Sequence, residues 1–167
     1  MAENTNPPFQ FDDHSIHLYH LGQLMGNLSV FEMAVRIFLC KHHNEKWKPP
    51  KKGDKIVPET HMTNFNSLGE IVKKYNKISE EKYKIDPFVV RLRDGIAHGR
   101  IITMESMEIG IFKYAQPKNG NVEVVLDEVL NTDFYRKSLA LVDEQILKVI
   151  DCGQQLGYSN TPAKKIE

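Results

Sequence analysis

Cysteine is scarce in this chain: among 167 residues only Cys40 and Cys152 carry thiols. Two cysteines build neither a zinc ribbon nor a disulfide-stapled miniature fold. Both fall in helical apolar patterns, so buried free thiols in a reducing compartment are expected. An excess of one charge is missing too. Twenty-two basic residues meet 22 acidic ones, a formal net charge of zero. No global field therefore draws the chain to nucleic acid or an anionic membrane, and any polyanion contact must come from a local patch. No apolar run is read as long enough for a membrane crossing, and residues 1–8 carry neither an apolar nor a basic leader. Also absent are a phosphate-cradling glycine loop, a nucleophile elbow, a zinc-ligand spacing and a helix-turn-helix with a basic recognition helix. What remains is an ordinary soluble globule, long enough for one domain with a real core and expected in the cytoplasm.

Helical periodicity is what the chain does have. Residues 1–11, with Pro7 and Pro8, read as a flexible tail. Over 14–43 apolar residues recur at three and four (Leu21, Leu24, Leu28, Phe31, Val35, Phe38), and Leu18, Met25 and Leu39 widen the stripe. Residues 44–62 contain Trp47, Pro49, Pro50, Gly53 and Pro58, with Lys46, Lys48, Lys51, Lys52 and Lys55, and are predicted to form a long, mobile basic loop. Helical spacing resumes with Leu68, Ile71, Val72 and Tyr75. Asp86-Pro87 then supplies an N-cap and a proline at the first position of a helix carrying Phe88, Val89, Leu92 and Ile96, which Gly99 stops. Over 107–126 the period changes to two. Ile109, Ile111 and Lys113 alternate, Pro117-Lys118-Asn119-Gly120 turns, and Val122, Val124 and Leu126 alternate back, which predicts a β-hairpin. Asn131 or Thr132 caps a last helix with Leu139, Val142, Ile146, Val149 and Ile150 inward; 159–167 is a polar tail. The expected architecture is a single all-α domain, a helical bundle of about four to five helices with a β-hairpin inserted before the last helix.

The most informative stretch is Arg93-Asp94-Gly95-Ile96-Ala97-His98-Gly99-Arg100, at the end of the third helix. An arginine and a histidine a few residues apart can bring a fixed cation and a titratable base to one phosphodiester. Spacing alone is weak: Arg36 with His42 or His43, and Arg91 with His98, fit equally well. Context separates Arg93 and His98, with a polar residue after the arginine, small and apolar residues in the gap, and glycine behind the histidine.

On these residues the chain resembles the HEPN family, whose motif is an arginine, commonly followed by Asn, Asp or His, and a histidine after four to six intervening residues. "LRDGIAHGRI" is similar to its "LRN-x-x-AHG" form, and the order of elements extends the likeness over most of 12–157. The resemblance implies a two-fold homodimer and metal-independent endoribonuclease activity in toxin–antitoxin, abortive-infection or other defence systems, with a cognate antitoxin as a possible protein partner. Together with the missing apolar run and ligand spacing, this leaves no cofactor, no metal and no membrane expected. Some members are non-catalytic. Asp94 replaces the commoner asparagine, and Gly99-Arg100 replaces the His-X-Tyr extension of a modified subgroup. By this reading His98 accepts the 2′-OH proton or protonates the leaving 5′-oxygen, and Arg93 holds the phosphate. Five residues subtend about 140° on a helix, so Arg93 and His98 of one chain do not share a face, and a dimer would supply a composite site. The plainer reading is a salt-bridging arginine and a histidine at a helix end.

Four further features have competing readings. Glu32 lies on the apolar row Leu18, Met25, Glu32, Leu39, where a charge needs a partner; it pairs with Arg91 or Arg93, or serves packing alone. His14, His17 and His20 have metal-ligand spacing but no accompanying carboxylate or cysteine set, so surface histidines are expected. Trp47 among lysines either stacks on single-stranded RNA or packs on the bundle, the second being favoured. Arg91, Arg100, Lys48, Lys51 and Lys52 are the candidate RNA contacts. The rival to the ribonuclease is a non-catalytic HEPN-like module that binds a protein or nucleotide; a DNA-binding regulator has little support.

Overall fold

Between Pro8 and Pro49 the chain holds no proline, and one helix, α1 (Asp13–His42), runs almost the whole interval. The computed structural model describes residues 13–47, 49, 51–55, 59–106 and 108–158. The predicted tails, Lys48, Met107 and the side chain of His14 lie outside the described residues. α2 (Leu68–Ile78) starts with a capping box, in which the Ser67 hydroxyl accepts from the Glu70 backbone and the Glu70 carboxylate accepts from the Ser67 N–H. A 3₁₀ turn at Glu81–Tyr83 leads to α3 (Pro87–His98), whose N-cap Asp86 accepts from Phe88 N at 2.8 Å. After three strands, α4 (Thr132–Gln155) begins on N-cap Asn131.

The core is the expected one in its main rows. Leu24, Leu28, Phe31, Val35, Phe38 and Leu39 of α1 are buried with Leu68, Ile71, Val72 and Tyr75 of α2, Val89 and Leu92 of α3, and Tyr135, Val142, Val149 and Cys152 of α4. Burying such a side chain stabilises the fold by about 1.5–3 kcal/mol each. By length and composition Ser15–His42 would also serve as a membrane span, contrary to the sequence expectation. Here that helix supplies the longest buried row of the core. The stripe is narrower than predicted, because Leu18 and Met25 are exposed. Cys40 and Cys152 are free and buried, as expected. Burial, with a hydrogen bond to Glu45, pushes the Cys40 thiol up to about 11.

The all-α expectation needs correction. The strands form a three-stranded antiparallel sheet, β1 (Arg100–Thr103), β2 (Ile109–Tyr114) and β3 (Val124–Val129), in the order β1-β2-β3. β1 is four residues long and fully exposed, so no buried alternation marks it in the sequence. The predicted 107–126 hairpin is β2–β3, extended to Val129. Asn119 and Gly120 turn it with positive φ of 51° and 77°, as a type I′ turn requires. Of its inward set, Ile111 and Leu126 are buried, whereas Val122 and Val124 are exposed near the hairpin tip.

Gly99 stops α3 for a reason of space. Its backbone is extended (φ −73°, ψ 170°) and its N–H bonds back to Gly95 O. A Cβ there would stand 2.3 Å from Gly95 O and 3.0 Å from Phe112 O, both backbone atoms. At Gly95 the added Cβ would stand 2.1 Å from Leu126 Cδ2, the mobile end of a side chain. Overpacking typically costs about 1–3 kcal/mol, so Gly99→Ala is expected at the upper end and Gly95→Ala at the lower. Urea denaturation checks the order; equal losses would mean that α3 and β2 are not clamped at Gly99.

The far end of the basic segment is tied down. Glu45 accepts from His61 N at 2.7 Å, from the His61 ring at 2.6 Å and from the Cys40 thiol at 3.0 Å. Burial alone would raise the Glu45 carboxyl, but the His61 N–H, the Cys40 thiol and the His61 ring together hold it below its ordinary range. With the native value depressed, the unfolded chain binds the proton first. The contribution is therefore complete above the usual glutamate value of about 4.3 and lost as pH falls through the native one. The stability gap between the wild type and Glu45→Gln is expected to narrow below about pH 4. A gap constant with pH in denaturant titrations would contradict the assigned cause.

Candidate active site

Leu92 is buried and fixes the rotation of α3, so the next two positions emerge at the edge of the core. Arg93 and Asp94 are half-buried, one toward α1 and the other toward β2. Glu32, one place beyond buried Phe31 on α1, meets two arginines. Its Oε1 accepts from Arg36 Nε at 3.0 Å and Nη2 at 2.9 Å, while its Oε2 stands 3.8 Å from Arg93 Nη2. Arg36 is spent on structure. It also donates to the carbonyls of His61 and Asn66, at 2.8 Å each, and to the Asn64 side chain at 3.2 Å.

Arg93 is held differently. Besides the loose approach to Glu32, its Nη1 lies 3.5 Å from Asp94 Oδ1, and neither contact is a hydrogen bond in length and direction. The side chain keeps about a third of its surface in solvent (33% relative exposure). Asp94 is occupied from its other side by Lys113 of β2, Nζ to Oδ2 at 3.0 Å. Among the described residues three cations, Arg36, Arg93 and Lys113, thus face two carboxylates, leaving one positive charge in surplus. Arg93 is positioned by Coulombic contacts while most of its donors stay open to an anion.

Of the predicted site residues, the structure brings Arg93, Asp94 and Glu32 together. The Glu32 partner is Arg93 as expected and not Arg91, whose guanidinium lies over its own helix's Phe88 ring at 5.4 Å. His98 is exposed at the last turn of α3 and, among the described residues, makes no hydrogen bond and no contact with Arg93. That agrees with the angular mismatch along one helix. Arg100 is exposed on β1 over the Tyr114 ring at 5.2 Å. Lys51 and Lys52 are exposed in the basic segment, away from any ion pair among the described residues.

Two members of the cluster escaped sequence reasoning. In the sequence Lys113 marks only an inward position of an alternating strand; the structure pairs it with Asp94. Arg36 entered only as a chance spacing match with His42 and His43. Those histidines are also structural: His42 bonds the Tyr158 hydroxyl at 2.9 Å, and His43 stacks on His61 with centroids 5.0 Å apart. Trp47 is exposed, not packed down. His17 and His20, expected at the surface, are half-buried around the Tyr135 ring, at 6.0 and 5.3 Å. Among the described residues no three His, Cys, Asp or Glu side chains are placed to hold a metal ion.

No family model matches this chain, and no curated protein or solved structure matches it either. The site therefore has to be judged on its own geometry.

If Arg36 is the structural arginine, Arg36→Ala is expected to cost about 3 kcal/mol, since it removes bonds to two carbonyls and a carboxylate. Hydrogen exchange over 61–66 should accelerate. Glu32→Gln keeps the bonds to the carbonyls and is expected to cost about half as much. The reverse order in urea titrations would move the structural role to Glu32.

Proposed function

We propose that this chain is a HEPN-type, metal-independent endoribonuclease that works as a homodimer in the cytoplasm as a toxin or defence effector. The observation that carries this reading is the state of Arg93: drawn between Glu32 and Asp94 by ion-pair contacts without hydrogen bonds, short of saturation, and part of a cluster with a surplus positive charge. Asp94 would repel a phosphate if left bare. Lys113 neutralises it, so the departure from asparagine is compatible with a phosphate site.

In this reading Arg93 binds a non-bridging phosphate oxygen and stabilises the charge of the pentacoordinate transition state. His98 serves as proton carrier. The ribose 2′-oxygen loses its proton and attacks phosphorus, the bond to the 5′-oxygen breaks, and that oxygen gains a proton. The products are a 2′,3′-cyclic phosphate and a 5′-hydroxyl; DNA, lacking the 2′-OH, is spared.

A second copy supplies what one chain lacks. Tyr19, Gly22, Gly26, Val30, Met33 and Ile37 follow one another on α1 at steps of three and four and are all exposed. Around the two glycines nothing lies within 4 Å of an added Cβ. Such a seam of apolar and small residues suits close packing of two helices. The rival reading is a non-catalytic module binding a protein, an antitoxin for instance, or a nucleotide. Among the described residues His98 has no hydrogen-bond partner to orient it, which favours this rival.

Light scattering at tens of micromolar is expected to give a dimer, which Met33→Glu should weaken. Cleavage of fluorogenic RNA in EDTA is expected from the wild type and should fall by about 10²–10³ in His98→Ala and in Arg93→Ala, with helix content unchanged. Asp94→Asn should retain or raise the rate. A dimer that cleaves no class of RNA, in wild type or Asp94→Asn, would leave the binding module.

A further inference from the structure

Resting on the ribonuclease reading, we propose that Arg100, Tyr114 and Gln116 form a nucleobase-binding subsite that stacks one base of single-stranded RNA beside the motif. β1 begins directly behind Gly99, so Arg100 is two residues past His98, their Cα atoms no more than about 7 Å apart. Arg100 is in register with Phe112, and Tyr114, two places further along β2, is its diagonal neighbour. The guanidinium lies over the Tyr114 ring at 5.2 Å, and 44% of Tyr114 stays exposed.

Beside this pair is a shallow cleft of about 410 Å³, lined by Arg100, Tyr114, Ala115, Gln116, Pro117 and Val122. Its chemistry is mixed in a particular way. It offers an aromatic ring for stacking and a cation for a flanking phosphate. An amide able to donate and accept at a base edge and an apolar floor of Pro117 and Val122 complete the set. Single-strand RNA recognition draws on these groups: stacking on aromatic rings or arginine planes, with polar side chains reading the exposed base edges. Among the described residues no carboxylate lines the cleft. The larger cavity of about 650 Å³ at the start of α4 is lined by Asp127, Glu128 and Asp133 against a single Lys137, which repels a polyanion.

The cleft is preorganised. Lys118 and Asn121 exchange two backbone hydrogen bonds of 2.9 Å across the Asn119-Gly120 turn, and Ala115 N bonds Glu123 O at 2.8 Å. At its other end, Gly99 is packed between Gly95 O and Phe112 O. The platform therefore holds a fixed distance from His98, as a base subsite next to a reacting phosphate requires.

The test titrates the four ribonucleoside 5′-monophosphates, and ribose 5-phosphate as a base-free control, into the full chain with labelled tyrosine rings followed by NMR. The nucleotides are expected to shift the Tyr114 ring, purines most strongly, and ribose 5-phosphate to leave it in place. Tyr114→Ala should weaken nucleotide binding about ten-fold, in the range of one stacked base, and Tyr114→Phe by less than about two-fold. Gln116→Ala should change the ranking of the four bases. Equal binding of ribose 5-phosphate, or full affinity in Tyr114→Ala, would overturn the subsite. Sequencing of RNA cut sites separates the two readings. Cleavage whose flanking-base profile is the same in wild type and Tyr114→Ala removes the subsite and leaves the ribonuclease. Base-dependent binding at Tyr114 in a chain that cuts nothing keeps the subsite and removes the ribonuclease.

Discussion

A carboxylate set one residue past the core row of a long helix calls for cations beside it, and Glu32 has two arginines of opposite character there. Arg36 takes one oxygen with two short hydrogen bonds and spends its other donors on the carbonyls of His61 and Asn66. Arg93 faces the second oxygen at 3.8 Å. Arg36 thus fastens the 61–66 segment to α1, and Glu32 beside it sets where the motif arginine stands. Removing the Glu32 charge would chiefly loosen Arg93, because the half-buried surroundings offer it only Asp94 in exchange.

The sheet is a second positioning device. The end of α3 approaches the sheet closely because Gly95 presents no side chain to Leu126 of β3 and Gly99 none to the Phe112 carbonyl of β2. That closeness brings Lys113 onto Asp94, and it makes β1 start immediately behind the histidine. The glycines of the octapeptide thus serve packing, and the packing sets the local charge balance. A chain neutral overall carries a positive surplus at Arg93 and an acidic cavity near the start of α4, so its surface is divided by fold and not by composition.

Much of the architecture was legible beforehand. The capped starts at Asp86 and Asn131, the apolar rows of α1 and α2 and the Asn119-Gly120 turn depend on neighbours within a few residues, and periodicity and turn chemistry report such neighbours well. β1 was not legible, since four exposed residues carry no alternation and exist as a strand only because β2 lies alongside. The over-wide stripe on α1 has a similar origin: Leu18 and Met25 continue the pattern past the reach of the other elements.

The sequence by itself determined the helices, their caps, the hairpin turn and the octapeptide that singles out Arg93 and His98, because each is a local preference of the backbone or a short spacing. Only the tertiary structure decided which of two arginines answers Glu32 tightly and which loosely. It also decided that Lys113 quiets Asp94 and that Arg100 covers Tyr114. Glu32 and Arg36 stand four residues apart on one helix, but the Arg93, Lys113 and Tyr114 pairings join different elements, and Coulomb and stacking contacts depend on distance in space, which no spacing along the sequence encodes.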